Sequence, residues 1–367
     1  MSRLRLGMIG CGQICNRFFD QAAPRDDVEF VATCARTLAS AEAKAKERGV
    51  PQWFSSYEVL MDEVHPDGVV VTTPHSVHAD PSIAALRRGI HVLVEKPMAT
   101  TLEDGRRMVE AADASGAILM VLPFDHTPDF LTALSFLKEE WLGKLTGAEA
   151  ELVLPGPPRD NWYYDRSVAH GGAMLDCLVY PMSRLISLLG PASTVTARVN
   201  TLIPHRIVGD GKRVQSTVDD NVTLIVEWAG GQQAVVRTLW GTSFFRNETA
   251  VYGRKGTLWL AGGKVTLHSP SRPVPGAEPA TFNGISDCYQ VPISPEAPSE
   301  SILGHFVDSI TSGRQPKCGG HLQLHVHEIL MKAYVASETG QTQQLETTFT
   351  PWHDLSPALF DTRSDFI

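Results

Sequence analysis

The chain reads as an α/β protein in two parts: an N-terminal doubly wound parallel sheet, then an α+β domain built on a large, mainly antiparallel sheet. Three observations predict this. Apolar runs alternate with helical repeats through residues 1–122. A glycine-rich turn, Gly10-Cys11-Gly12, separates the first run from the first helix. Beyond Pro123 the strands change character and alternate apolar with polar residues, as in a sheet with one wet face.

The elements follow in order. Leu6–Ile9 is an apolar run ending in glycine, and Ile14, Phe18 and Ala22 recur at helical spacing. Val28–Thr33 is the second strand. Ser40–Arg48 is rich in Ala and Lys, strong helix formers, and stops at Gly49. Gly68–Thr72 holds three consecutive valines, as buried parallel strands do. Ser82–Arg88 is helical and stops at Gly89. His91–Val94 is a strand. Thr100-x-x-Glu103 is a capping box that opens a helix ending near Gly116, and Ala117–Val121 closes the series. Repeated β-α units of this kind form a doubly wound parallel sheet, the Rossmann arrangement.

The second domain is expected over residues 123–367. Val195, Ala197 and Val199 form one alternating set, and Val222, Leu224, Val226 and Trp228 another. Gly230-Gly231 and Gly262-Gly263 are hairpin signals. Residues 270–298, rich in Pro and Ser, read as a long surface excursion. Two helices, about 301–312 and 321–337, are expected to pack back on the structure.

Composition excludes several classes. The chain has 367 residues, a length that favours two domains. A net charge of -9 and no block of Lys and Arg argue against a nucleic-acid partner. No uncharged apolar run is long enough to span a bilayer, and the start does not resemble a secretory signal. Six cysteines form no CxxC pair, so a cytoplasmic protein with free thiols is the expectation. His321, His325 and His327-Glu328 have helical spacing for sharing a metal, but no other ligand cluster supports one, and no metal is expected.

Gly10, Cys11, Gly12, Gln13 and Ile14 lie between a strand and a helix. The first glycine permits a tight turn, and the second lets a pyrophosphate approach the backbone. The helix N-terminus then presents unpaired N–H groups and partial positive charge to the anion. The third small position is Cys15, where close helix–strand packing must accommodate a thiol. NAD-specific sites usually carry Asp or Glu at the end of the second strand. Here the stretch is Thr33-Cys34-Ala35-Arg36-Thr37, with no carboxylate. Arg36 suits a 2′-phosphate, which favours NADP, with NAD possible.

Four motifs in order resemble the Gfo/Idh/MocA oxidoreductases over nearly the whole chain. They are Gly7-Met8-Ile9-Gly10-Cys11-Gly12, Thr73-Pro74-His75-Ser76-Val77-His78, Glu95-Lys96-Pro97, and Gly171-Gly172-Ala173-Met174-Leu175-Asp176-Cys177-Leu178-Val179-Tyr180. The resemblance implies a cofactor site drawing on Thr73, Pro74, His78, Glu95 and Lys96. It also implies an active site with Lys96, Asp176 and Tyr180. The last motif departs from the common pattern at His170, Leu178 and Tyr180, where glycine, glycine and histidine are usual. Tyrosine at the final position resembles one branch of the family, in which it serves as proton donor or acceptor. The substrate implied is a sugar, polyol or related cyclic compound, and the assembly a homodimer or homotetramer.

The chemistry of these residue types agrees. Oxidising an alcohol removes a hydride from carbon and a proton from oxygen. A side chain within hydrogen-bond reach must take the proton. A free phenol has a pKa of about 10, and a nearby ammonium lowers it. Tyr180 is thus the candidate acid/base and Lys96 its electrostatic partner, while Asp176 orients Lys96 or binds a substrate hydroxyl. Asp176 and Tyr180, four apart, share a helical face, and Pro181 predicts a kink at Tyr180. Trp162 is a candidate for the edge of the nicotinamide pocket and His170 for substrate contact. Two other readings stay open: an oxidoreductase that keeps and recycles its cofactor on glycosides or sugar pairs, and a non-catalytic nucleotide-binding regulator.

Overall fold

The structure, a computed structural model, describes residues 3–158, 162–209, 211–270, 272–277, 279–282, 285–292 and 300–360. The chain divides into two compact units. The first comprises the chain up to Phe124, Ser167–His170 and Glu300–His327. The second comprises Asp125–Arg166, Gly171–Ser299 and the chain from Glu328 onward.

The first unit carries β1 (Leu4–Ile9), α1 (Cys15–Ala22), β2 (Val28–Cys34), α2 (Leu38–Arg48), β3 (Gln52–Phe54), α3 (Tyr57–Val64), β4 (Gly68–Val71), α4 (Ala79–Arg87), β5 (His91–Val94), α5 (Leu102–Ser115) and β6 (Leu119–Val121). The six strands are parallel, in the order β3-β2-β1-β4-β5-β6. Side chains alternate between two apolar layers. Leu6, Met8, Val70, Leu93 and Met120 enter one, and Val69, Val71, Val92, Val94 and Leu119 the other. Burial on both faces is why these strands read as unbroken apolar runs.

The capping box lies one residue later than the sequence suggested. Thr101 accepts a hydrogen bond from the Asp104 N–H, and the Thr101 hydroxyl donates to the Asp104 carboxylate. β3 and α3 carry too short a pattern to stand out in the sequence.

The second unit begins with α6 (Pro128–Lys138) and β7 (Leu145–Leu154). After the short α7 (Arg166–Ala169), which from Ser167 on belongs to the first unit, comes a π-helical turn, Met174–Leu178, which runs into α8 (Val179–Leu189). The strands are β8 (Thr194–Asn200), β9 (His205–Val208), β10 (Lys212–Gln215), β11 (Asn221–Glu227), β12 (Gln233–Trp240), β13 (Arg246–Gly253), β14 (Thr257–Ala261), β15 (Lys264–His268), β16 (Pro279–Phe282), β17 (Ile285–Val291) and β18 (Gln343–Gln344). Nine of them join β7 in one ten-stranded sheet, β16-β17-β15-β14-β13-β7-β12-β11-β8-β18, antiparallel except for the β7–β12 pair. α8 packs on β7 and β13. The Pro- and Ser-rich stretch differs from expectation, because β16 and β17 extend the sheet edge there; residues 293–299 lie outside the described residues.

The expected late helices are α9 (Ile302–Ser312) and α10 (Gly320–Thr339). α9 packs on α1, and its Leu303, Phe306 and Val307 enter the apolar layer of Leu6, Met8 and Phe18. Arg166–Leu189 is long and apolar enough on composition to cross a bilayer, with mean hydropathy 1.3, but 83% of that window is buried inside the protein. It carries Asp176 and Arg184.

Candidate active site

The first glycine of the cradle is fixed by its surroundings. Gly10 has φ +102°, and a side-chain carbon there would lie 2.6 Å from the Thr72 carbonyl carbon and 2.7 Å from the Thr73 nitrogen. Only glycine lets the turn after β1 press against the end of β4. Gly12 is the opposite case: a carbon added there meets none of the described residues within 4 Å. Gln13 and Ile14 are exposed beside it. This open backbone at the start of α1 fits the pyrophosphate of a dinucleotide. Cys15 is fully buried, and its thiol donates to the Gly12 carbonyl at 2.9 Å, so the third small position accommodates a thiol with its donor satisfied. Burial pushes the Cys11 thiol up to about 12, so it stays protonated at neutral pH.

Beyond β2, Thr37 caps α2 through the Ser40 N–H. Arg36 is exposed and forms no ion pair among the described residues, leaving its guanidinium available to an anion.

The loops after β4 and β5 are tied together. His78 is buried, with its ring nitrogens each 2.8 Å from a carbonyl oxygen, those of Pro97 and Thr73. Burial holds its pKa below the usual histidine value, so at pH 7 the neutral ring donates to one carbonyl at a time. His78 therefore braces the turn carrying Lys96, whose peptide to Pro97 is cis. Glu95 is buried as well. Its carboxylate accepts from Arg17 of α1 at 2.9 Å and from the Lys96 N–H at 3.2 Å. It thus fastens the Lys96 turn to the helix that follows the cradle. Thr73 and Lys96 are half-buried, and Pro74 is exposed. β1, β4 and β5 are adjacent in the sheet, so the cradle, the Thr73 loop and Lys96 emerge side by side at one carboxyl edge.

In the second unit, Asp176 and Tyr180 lie on consecutive turns of one segment. Asp176 belongs to the π-helical turn and is half-buried; Tyr180, in the first turn of α8, is 40% exposed. The kink expected at Tyr180 is instead this widened turn just before it. Pro181 has no N–H for the Cys177 carbonyl, and its ring crowds that carbonyl, so regular α geometry cannot run through. The Cys177 thiol accepts from the Trp240 indole N–H at 3.1 Å and donates to the Asp176 carboxylate at 3.4 Å. Trp162 stacks on Tyr163 at 4.1 Å, while Asn161 lies outside the described residues. His170 belongs to the first unit, is exposed and has φ +61°.

The histidines considered for metal have other partners. His321 pairs with Asp113, and His327 bonds the Thr101 carbonyl. Among the described residues no group of three or more His, Cys, Asp or Glu is placed to hold a metal ion. None of the six cysteines forms a disulfide among the described residues.

A doubly wound sheet with an open glycine turn after its first strand, joined to an α+β unit, defines the class: a dinucleotide-binding oxidoreductase. Residues 4–122 match the description "Oxidoreductase family, NAD-binding Rossmann fold", and residues 130–259 match "GFO/IDH/MocA C-terminal domain". The chain belongs to the Gfo/Idh/MocA family and is an oxidoreductase. It is 28% identical over 347 residues to the 1,5-anhydro-D-fructose reductase of Ensifer adhaerens, covering 94% of this chain and 99% of that one. It is 28% identical over 305 residues to the trans-1,2-dihydrobenzene-1,2-diol dehydrogenase of Sus scrofa, covering 78% and 86%. A solved levoglucosan dehydrogenase, in complex with NADH and L-sorbose, shares the fold with a TM-score of 0.81 at 19% identity, covering 94% of this chain and 99% of that one.

Proposed function

We propose that the protein moves a hydride between NADP and a secondary alcohol or ketone of a sugar, polyol or related cyclic compound, with NAD as a second, weaker cofactor. The observation that carries this is the shared carboxyl edge of β1, β4 and β5, from which the open Gly12 backbone and Lys96 both emerge. The exposed guanidinium of Arg36, with no carboxylate from Thr33 to Thr37, supports the 2′-phosphate. The named activities of the relatives support a small hydroxylated substrate.

When bound, the nicotinamide supplies the hydride donor or acceptor. The chain supplies the rest. Tyr180 takes the hydroxyl proton in oxidation and returns it in reduction. Lys96 stabilises the phenolate and holds the substrate oxygen. Asp176 binds a neighbouring hydroxyl or orients Lys96. His78 and Glu95 keep the Lys96 turn in place. Trp162 edges the nicotinamide pocket and His170 touches substrate.

We also infer a cytoplasmic homodimer or homotetramer, with neither nucleic acid nor membrane as partner. Six cysteines with no disulfide among the described residues fit a reducing compartment. The open face of the ten-stranded sheet supports self-association. It exposes Ile225 and Val235 beside a groove of about 360 Å³ containing Glu151, Arg237, Arg246 and Trp259.

A thermal-shift comparison tests the cofactor, since a ligand bound only by the native state raises the midpoint. NADP or NADPH should raise it more than NAD or NADH at equal concentration; the reverse order removes Arg36 from the argument. Lys96→Met should lower kcat roughly 100-fold or more while nucleotide affinity changes less than about threefold. Unchanged turnover would remove Lys96 from the chemistry.

A further inference from the structure

The helix that carries Asp176 and Tyr180 has no cap of its own. It is entered through His170-Gly171-Gly172-Ala173, and no side chain at its start accepts from its first N–H groups. Those groups are unpaired within the helix and buried, so something must satisfy them.

Asp219 does so from far along the chain. Its Oδ1 accepts from the Gly172 N–H at 2.9 Å and its Oδ2 from the Met174 N–H at 2.8 Å. Its main-chain oxygen accepts from the Ala173 N–H at 2.8 Å. The Tyr334 hydroxyl of α10 donates to the same Oδ1 at 2.7 Å. Three consecutive backbone N–H groups are thus held by one residue that is 1% exposed. Both glycines are required for this grip. A side-chain carbon at Gly172 would sit 2.1 Å from the Asp219 carbonyl oxygen, and one at Gly171 would sit 2.3 Å from the Tyr334 hydroxyl. A negative charge at a helix N-terminus is also favourable in itself.

We infer that Asp219, supported by Tyr334, is the positioning residue that sets the start and rotation of the helix presenting Asp176 and Tyr180. The inference rests on the proposed acid/base role of Tyr180. The π-helical turn lies between the grip at residues 172–174 and Tyr180. Pro181 constrains the far end, and Asp219 holds the near one. Releasing Asp219 frees the near end of the turn, while Pro181 still bars regular α geometry, and lets Tyr180 swing away from its present direction.

The test uses the full-length enzyme with its best nucleotide and sugar substrate. Asp219→Asn keeps the shape but turns one acceptor into a donor facing a backbone N–H. It should lower kcat roughly 10- to 100-fold, because small misplacements of a reacting group have large effects. KM and nucleotide affinity should change little, and amide hydrogen exchange should speed up at residues 172–178 but not in the nucleotide-binding unit. Tyr334→Phe, the milder variant, should lower kcat in the same sense by a few-fold, with the double variant no worse than Asp219→Asn alone. Faster exchange at 172–178 with normal turnover would overturn the positioning role while leaving the site reading intact. Unchanged exchange would overturn it as well. Full activity in Tyr180→Phe would overturn the site reading itself, and the inference with it.

Discussion

The two glycine motifs look alike as text and serve opposite ends. In the cradle, Gly12 has nothing described within 4 Å of where its side chain would be, so its smallness leaves room for a ligand. In the second motif, Gly171 and Gly172 are closed in by Tyr334 and Asp219, so their smallness leaves room for protein. Gly10 belongs with the second kind, since the Thr72–Thr73 backbone fills its space. A glycine in a motif therefore marks a close approach without saying what approaches.

Substitutions at the two motifs should separate along this line. The largest effect is expected from Gly172→Ala, which drives a carbon into backbone oxygen. It should destabilise the protein by about 3 kcal/mol, a melting-point drop of roughly 6–12 °C, readable by calorimetry. A normal melting point would break the comparison. Gly12→Ala should leave the melting point of the nucleotide-free protein unchanged within about 1 °C. It should weaken nucleotide binding roughly tenfold by titration calorimetry, since the added methyl meets the ligand. Equal losses of stability in both variants would erase the distinction.

The smallest effect concerns acid. Burial depresses His78, His91, His305 and His327 in the nucleotide-binding unit, but in the other unit, among the described residues, only His353. Each has a folded pKa below the ordinary 6.5, so the unfolded chain takes up protons first as pH falls. Stability is fully present above pH 6.5 and declines below it. Hydrogen exchange at pH 5.5 against pH 7.5 should show protection lost first in the nucleotide-binding unit. Loss beginning in the other unit would contradict the assignment.

The parts of the molecule legible in the sequence are those whose causes are local. The β-α alternation, the cradle, the Glu95-Lys96-Pro97 turn and the hairpins at Gly230-Gly231 and Gly262-Gly263 follow from patterns within about ten residues. β3 escaped because three residues carry no period. β16 and β17 escaped because prolines around them mask edge strands, where proline is tolerated. The grip of Asp219 on Gly172 spans 47 residues and that of Tyr334 on Asp219 spans 115, and no local pattern reports either. The Asp219-Asp220 pair directly before β11 was the available sign, and it looks like ordinary turn residues. The widened turn was foreshadowed only by Pro181.

Leu303, Phe306 and Val307 have a consequence for how the protein is born. They complete the apolar layer that Leu6, Met8 and Phe18 begin, yet they leave the ribosome long after β6. At usual elongation speeds the intervening stretch, about 180 residues, takes about 10 to 35 s to make. Throughout that interval Phe18 and Met120 lack their final neighbours. The first part synthesised is the last to close, and a nascent chain stalled before residue 300 presents chaperones with an oily, unfinished face.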